Sequence, residues 1–313
     1  MNKRVSLVAP FYNESGSVQE FFRRVAAVAD SLPQYRFEVI AVNDGSRDDT
    51  WSELLKARAQ YPWVHLVDLS RNFGKEAALT AGLDRADGDA VVPIDSDLQH
   101  PPELLAQMLG QWEQGAEVVL ARRTDRDSDG KLQKLSASSF YRFHNKISNV
   151  QVPMDVGDFR LMDRRVVLAL RELPESHRFM KGLFAWVGFR TVTVPYATAR
   201  RYAGASSFNL WKLWNLALEG ITSFSTAPLK IWTYVGLGVS AMALLYAMLI
   251  VGRTLVHGVD VPGYASLMAG SMFLGGVQLI GIGVLGEYVG RIYNEVKRRP
   301  VYLVREEHRR EQP

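Results

Sequence analysis

The chain reads as an α/β protein, a mostly parallel, doubly wound sheet followed by a C-terminal pair of apolar helices. Three observations lead there. Short apolar runs alternate with helical periodicity through the first 120 residues, and carboxylates recur just after the runs. Two later stretches lack Asp, Glu, Lys and Arg altogether, 22 residues over Ile231–Gly252 and 26 over Val261–Gly286. The alternation is the pattern of β-α repeats in a doubly wound sheet. The uncharged stretches suffice, at about 1.5 Å per residue, for helices to cross a hydrocarbon core of roughly 30 Å.

The elements follow in order. Val5–Ala9 predicts a strand, stopped by Asn13 and Glu14, and reads as a buried strand rather than a signal peptide. Val18, Phe21, Phe22, Val25 and Ala29 mark one face of a helix over Val18–Leu32. A strand over Phe37–Val42 leads into the turn Asn43–Ser46, and a helix runs from about Asp49 to Gln60; the purely structural alternative is that Asp44-Gly45-Ser46 only makes a turn and Asp49 caps this helix. Val64–Leu69 is a third strand, Lys75–Ala86 a helix, and Ala90–Ile94 a fourth strand ending in Asp95-Ser96-Asp97. Pro101-Pro102 opens a helix to about Gln114, and Glu117–Ala121 is a fifth strand. The polar segment Arg122–Lys134 predicts a loop, followed by a helix over Leu135–Val150, the segment Asp155–Met162, a helix over Arg164–Leu173 and a strand over Thr191–Tyr196. Leu210–Phe224 is amphipathic, with Trp211, Lys212 and Trp214 at one end, which suits a helix lying in a membrane interface better than packing on the globular part.

Charge is segregated along this order. The first 227 residues hold 28 basic and 27 acidic side chains and the remainder 9 and 6, so most of the net +4 sits beside the apolar runs. There it reads as a membrane-surface feature and not as a nucleic-acid footprint. Arg291, Lys297, Arg298, Arg299, Arg305, Arg309 and Arg310 crowd the last segment, whereas Arg253 is the single Arg or Lys of the connection 253–260. The positive-inside rule therefore places both ends of the hairpin, and the globular domain, in the cytoplasm. With no cysteine, thiol catalysis, Fe–S clusters, cysteine zinc sites and disulfide scaffolds are excluded.

The chemistry should gather at the carboxyl ends of the strands, where doubly wound sheets bind ligands. Asp44, Asn72, Asp95 and Asp97 all follow a strand. On an extended segment the carboxylates of Asp95 and Asp97 would point to one side, with Gln99 one alternation further. Hard oxygens of this kind suit Mg²⁺ or Mn²⁺ shared with substrate phosphates. Asp-x-Asp alone is a weak signal, since acidic pairs also serve as solvated loops and helix caps. Its coincidence with Pro10–Glu14 and Val42–Ser46 at the neighbouring strand ends is what favours a site.

Those segments, with Ser70-Arg71-Asn72-Phe73-Gly74-Lys75, Asp95 to Pro101, Gly157-Asp158-Phe159-Arg160, Arg201-x-x-Gly204-x-Ser206 and the apolar hairpin, resemble the inverting glycosyltransferases of family 2 with the GT-A fold. The resemblance is to the polyprenyl-phosphate branch, similar to dolichol-phosphate mannose synthase and the bactoprenol glucosyltransferases, and spans essentially the whole chain. It implies a Rossmann-like GT-A domain over 1–208, an interfacial helix over 209–229, a two-helix transmembrane hairpin within 230–290 (about 231–252 and 264–286) and a basic cytoplasmic tail over 291–313. By resemblance Pro10, Tyr12, Glu14, Asp44, Asn72, Lys75 and Asp95 hold the nucleotide sugar, and Asp95, Asp97 and Gln99 the metal, Mg²⁺ or Mn²⁺. Asp97 and Asp158 are the expected catalytic residues, Asp158 being the natural base candidate. Arg122, Arg126, Lys134, Arg201 and Ser206 are expected on the acceptor phosphate, because guanidinium forks match phosphate geometry. His100 and His144 receive no role. Two positions depart from the family pattern, Ser207 where lysine is common and Asn43 where many members carry aspartate.

The implied reaction is inverting transfer of a hexose, glucose from UDP-glucose first, onto undecaprenyl phosphate at the cytoplasmic face of the bacterial inner membrane. GDP-mannose, UDP-GlcNAc or a UDP-amino-sugar are the alternative donors, and a non-catalytic membrane adaptor is the alternative class. Two helices are too few for a transport path, so a separate flippase and a downstream transferase are expected partners. The glycines Gly275, Gly276, Gly281, Gly283, Gly286 and Gly290 favour close helix contacts within a chain or in a homo-oligomer.

Overall fold

The computed structural model describes residues 3–124, 156–175, 178, 180–196, 227–257 and 263–309. The loop after Thr124, the helix expected over Leu135–Val150, the residues Arg126, Lys134, Arg201 and Ser206, and all but the last three residues of the interfacial helix lie outside the described residues.

Among the described residues eight strands form one sheet: β1 (Lys3–Phe11), β2 (Tyr35–Asn43), β3 (Val64–Leu69), β4 (Ala90–Pro93), β5 (Val118–Arg123), β6 (Val156–Asp163), β7 (Thr191–Tyr196) and β8 (Val304–His308). Their spatial order is β7-β5-β6-β4-β1-β2-β3-β8. The β1–β2, β1–β4, β2–β3 and β5–β7 pairs are parallel, while β6 runs antiparallel between β4 and β5, and β8 antiparallel along β3. The α/β, mostly parallel architecture expected of the first 120 residues is present.

Alternation along β1 sends Val5, Leu7, Ala9 and Phe11 to one face and Val8 to the other, so a core forms on each side. On the first face α1 (Val18–Ser31), α2 (Thr50–Gln60) and α4 (Leu105–Glu113) cover the sheet. Phe11, Phe21 and Phe22 interlock there, the two edge-to-face pairs having centroids 5.5 and 5.4 Å apart. Each such pair adds about 0.5–1.5 kcal/mol beyond its buried area. The opposite face carries α3 (Lys75–Leu83), α5 (Arg164–Arg171) and α6 (Met180–Trp186). α3 has no polar stripe, being buried at every residue from Ala77 to Leu83. Gly82 lets it press on β1, where an added Cβ would stand 2.3 Å from Val8 Cγ1. Lys75 is thereby fixed at the strand-end rim.

Several expectations change. Asp49 precedes α2 without capping it, since it is Asp48 that accepts the Thr50 N–H at 3.1 Å and the Thr50 hydroxyl at 2.5 Å. Proline opens a short 3₁₀ turn, Pro102–Leu104, before α4. The apolar helices are longer than their uncharged stretches, α7 covering Ala227–His257 and α8 Tyr264–Val296. Among the described residues one span, Gly270–Val296, is long and apolar enough to cross a membrane, with mean hydropathy 1.5. The segment read as a basic tail folds back as β8. Its sequence is too polar and too short to signal a strand, and only the free edge of β3 makes it one.

Candidate active site

Parallel registers that pair Phe11 with Asn43, Asn43 with Asp68 and Val8 with Pro93 bring the carboxyl ends of β1–β4 to one rim. The loops leaving them enclose a cleft of about 520 Å³. Pro10, Tyr12, Glu14, Asp44, Asn72, Lys75, Asp95, Asp97, Gln99 and Asp158 all line it. Arg122 lies exposed near the end of β5 and is not among the lining residues. His100, Gly157 and Lys181 also line the cleft. No spacing signal pointed to Lys181, which arrives on α6 from far along the chain.

Lys75 is the hub. Its ammonium lies 2.5 Å from Asp95 Oδ1 and 2.8 Å from Asp158 Oδ2, joining the end of β4 to β6. Burial works against the ammonium, but the two carboxylates outweigh it and raise its pKa above lysine's ordinary range. Burial also opposes ionisation of Asp158, yet the Lys75 and Lys181 ammoniums and the Arg160 guanidinium hold its carboxyl down at about 2. Arg160 is buried under the site, donating to the carbonyls of Asp158 and Gly157 and stacking 4.0 Å from the Phe184 ring. Burial lowers its pKa to about 10. Beside this cluster, burial first and the Asp158 charge second push the Glu76 carboxyl up to about 8.

The Asp95–Gln99 segment corrects the sequence reading. β4 ends at Pro93, so period-two geometry does not align these side chains. A tight turn does so instead, with buried Leu98 at φ 61° and the Gln99 N–H donating to Asp97 Oδ1 at 3.0 Å. A bulky residue in the left-handed region is strained, and burial of the leucine side chain holds it there. His100 completes the wall, its ring 5.1 Å from Phe159 and its Nδ1 3.5 Å from Asp95 Oδ2.

At the other end of the cleft, Asp44 holds a neighbouring loop. Its two carboxylate oxygens accept the Phe73 and Gly74 N–H groups at 2.7 and 3.0 Å. Gly45, at φ +62°, lies against that loop so closely that a Cβ would be 2.3 Å from the Arg71 carbonyl carbon. Asn13, at φ 53°, ties the β1 loop to the same turn by donating its N–H to Ser46 Oγ and accepting the Arg47 N–H. One rigid unit therefore joins loops from three strands.

Asp95 and Asp97 present hard oxygen donors to this cleft. Among the described residues no group of three or more His, Asp or Glu side chains could hold a metal ion. Two carboxylates fit a divalent cation that keeps waters and shares its remaining positions with a substrate diphosphate.

Sequence comparison matches residues 6–170 to the family Glycosyl transferase family 2 and residues 227–292 to the family GtrB C-terminal hairpin. The chain is 52% identical over 306 residues to a SfII prophage-derived bactoprenol glucosyl transferase of Shigella flexneri, covering 98% of this chain and 99% of that one. It is 49% identical over 302 residues to a prophage bactoprenol glucosyl transferase homolog of Escherichia coli K12, covering 96% and 98%. Among solved structures, glucosyl-3-phosphoglycerate synthase of Mycobacterium tuberculosis, in complex with Mn²⁺, UDP and phosphoglyceric acid, matches with a TM-score of 0.50 at 20% identity, over 70% of this chain and 76% of that one. That likeness shows the shared fold.

Proposed function

The chain belongs to glycosyltransferase family 2, and from that premise we propose that it transfers glucose from UDP-glucose to undecaprenyl phosphate with inversion at the anomeric carbon. The observation that carries the reading is about 50% identity, over nearly the whole chain, to bactoprenol glucosyl transferases, whose names give the sugar and the lipid. The cleft supports it, since its residues are those that the family resemblance assigns to a nucleotide sugar.

In this reading Pro10, Tyr12, Glu14, Asp44 and Asn72 surround the nucleoside end. Asp95, Asp97 and Gln99 would hold Mg²⁺ or Mn²⁺. When bound, the cation supplies positive charge against the departing nucleoside diphosphate. The acceptor needs little activation, because a phosphate monoester with a second pKa of about 6 is mostly dianionic at neutral pH. A carboxyl held near 2 is also a poor base at pH 7. Asp158, pinned by Lys75, therefore orients the acceptor instead of taking a proton. Arg122, Arg126, Lys134, Arg201 and Ser206 are assigned to the acceptor phosphate from their residue types and the resemblance.

α7 and α8 form the membrane hairpin, with both ends and the catalytic domain in the cytoplasm of a bacterial inner membrane. The apolar side chains exposed along both helices favour a lipid environment. The domain bounds expected above, with Val304–His308 joined to the sheet of the catalytic domain as β8, the flippase and the downstream transferase belong to the same proposal. Purified protein with Mg²⁺ or Mn²⁺, UDP-glucose and undecaprenyl phosphate should yield the glucosylated lipid phosphate by mass spectrometry. Product only with GDP-mannose, UDP-GlcNAc or a UDP-amino-sugar would overturn the donor assignment. No product with any donor would overturn the reaction.

A further inference from the structure

The C-terminal strand reaches the nucleotide end of the cleft. Arg305, on β8, places Nη1 3.2 Å from Asp68 Oδ2 and donates from Nη2 to the Ser70 carbonyl at 2.6 Å. Asp68 is buried at the end of β3, and its other oxygen accepts the Asn43 side-chain N–H at 2.7 Å. Asn43 Oδ1 in turn accepts the Ser46 N–H at 3.3 Å. The Ser70 N–H donates to the Leu303 carbonyl at 2.9 Å. One guanidinium is thus bonded towards both walls of the rigid unit described above: the turn 43–46 through Asp68 and Asn43, and the loop 70–74 through Ser70.

This contact is separate from what fastens the strand. β8 is clamped by Glu307 to His65 at 2.9 Å and to Arg85 at 3.1 Å, and the preceding segment by Tyr302 to Asp84 at 2.8 Å. Arg305 contributes to none of these. Its role is electrostatic, because a buried carboxylate without a cation is costly and Asp68 needs one. The same geometry accounts for Asn43: its amide can donate to Asp68, whereas a carboxylate there would meet like charge at 2.7 Å.

We propose that Arg305 is a positioning residue for nucleotide-sugar binding, setting the Asp44 turn and the Asn72 loop from the C-terminal strand. The inference rests on the donor reading of the cleft given above. It makes the segment after the second apolar helix part of the donor site rather than a solvated tail.

The test uses the full chain in lipid nanodiscs, with UDP-glucose affinity measured by calorimetry and donor KM and kcat measured with undecaprenyl phosphate. Arg305→Ala should raise the donor Kd and KM by about five- to tenfold, the scale of a lost charge-assisted hydrogen bond acting indirectly, with kcat and acceptor KM within about twofold. Arg305→Lys should recover part of this, since an ammonium can reach Asp68 but lacks the fork that also serves Ser70. Arg309→Ala, which removes a contact to Glu307 at 3.2 Å in the same C-terminal segment, should leave donor affinity unchanged. Asn43→Asp should weaken donor binding, and adding Asp68→Asn should restore it by reversing the hydrogen bond. Unchanged donor Kd and KM in Arg305→Ala overturn the proposal, even if activity falls equally at every donor concentration. A wild-type protein that binds UDP-glucose without making product overturns the transfer reaction and leaves the affinity test standing.

Discussion

Lys75 shows how a side chain can organise a site without reacting. Its ammonium, between Asp95 and Asp158, ties the turn after β4 to β6, and the depressed Asp158 pKa of about 2 follows from that neighbour and Lys181, against the opposing effect of burial. Asp97 is the residue where structure and chemistry separate most cleanly. In the fold it accepts the Gln99 N–H, a bond worth about 0.5–1.5 kcal/mol net. In the proposed reaction it holds charge opposite the leaving diphosphate, a role whose loss costs on the order of 10²-fold or more in turnover. Asp97→Ala should therefore lose at least about 10² in kcat while its thermal unfolding midpoint falls by only a few degrees. Near-wild-type turnover would remove Asp97 from the catalytic residues. His100 and Lys181 escaped the sequence reading for different reasons. A lone histidine next to Asp-x-Asp carries no spacing signal, and Lys181 becomes a cleft residue only because α6 packs beside β6.

At the level of elements, most strands and helices were legible because each carries its own periodicity. β3 and β7 fall on their expected bounds, Val64–Leu69 and Thr191–Tyr196. β8 did not, because Val-Arg-Glu-Glu-His has neither alternation nor β-branched density, and its stability comes from the β3 edge and a charged clamp. That clamp titrates. Burial lowers the His65 pKa from its ordinary 6.5, so unfolded chain binds more protons and stability declines as pH falls below about 6.5. Burial opposes the Glu307 carboxylate, but Arg85 and His65 hold its pKa below the ordinary 4.5, so its contribution is present above that value and disappears on further acidification. Both act in one direction. Hydrogen exchange of the Val304–His308 amides, corrected for intrinsic rates and referenced to β1, should be slower at pH 7.5 than at pH 5. Equal protection at the two values would contradict the clamp.

For the whole molecule, the absence of cysteine makes topology directly testable. A single cysteine at Val259, in the connection between α7 and α8, should react with a membrane-impermeant maleimide on intact cells. One at Gln34, exposed on the catalytic domain, should react only after permeabilisation. Labelling of both, or of neither, before permeabilisation would overturn the hairpin orientation. The sequence by itself determined the α/β class and the uncharged stretches, because hydrophobic period and charge are local properties written in neighbouring residues, and the family resemblance of its motifs implied ten residues of the cleft. Only the tertiary structure decided that Asp95 and Asp97 converge through a strained turn, that β6 inserts antiparallel beside β4, and that Arg305 reaches Asp68. The turn depends on burial of Leu98 and the other two on pairing between segments distant in the chain, where the energy lies in contacts that no local pattern encodes.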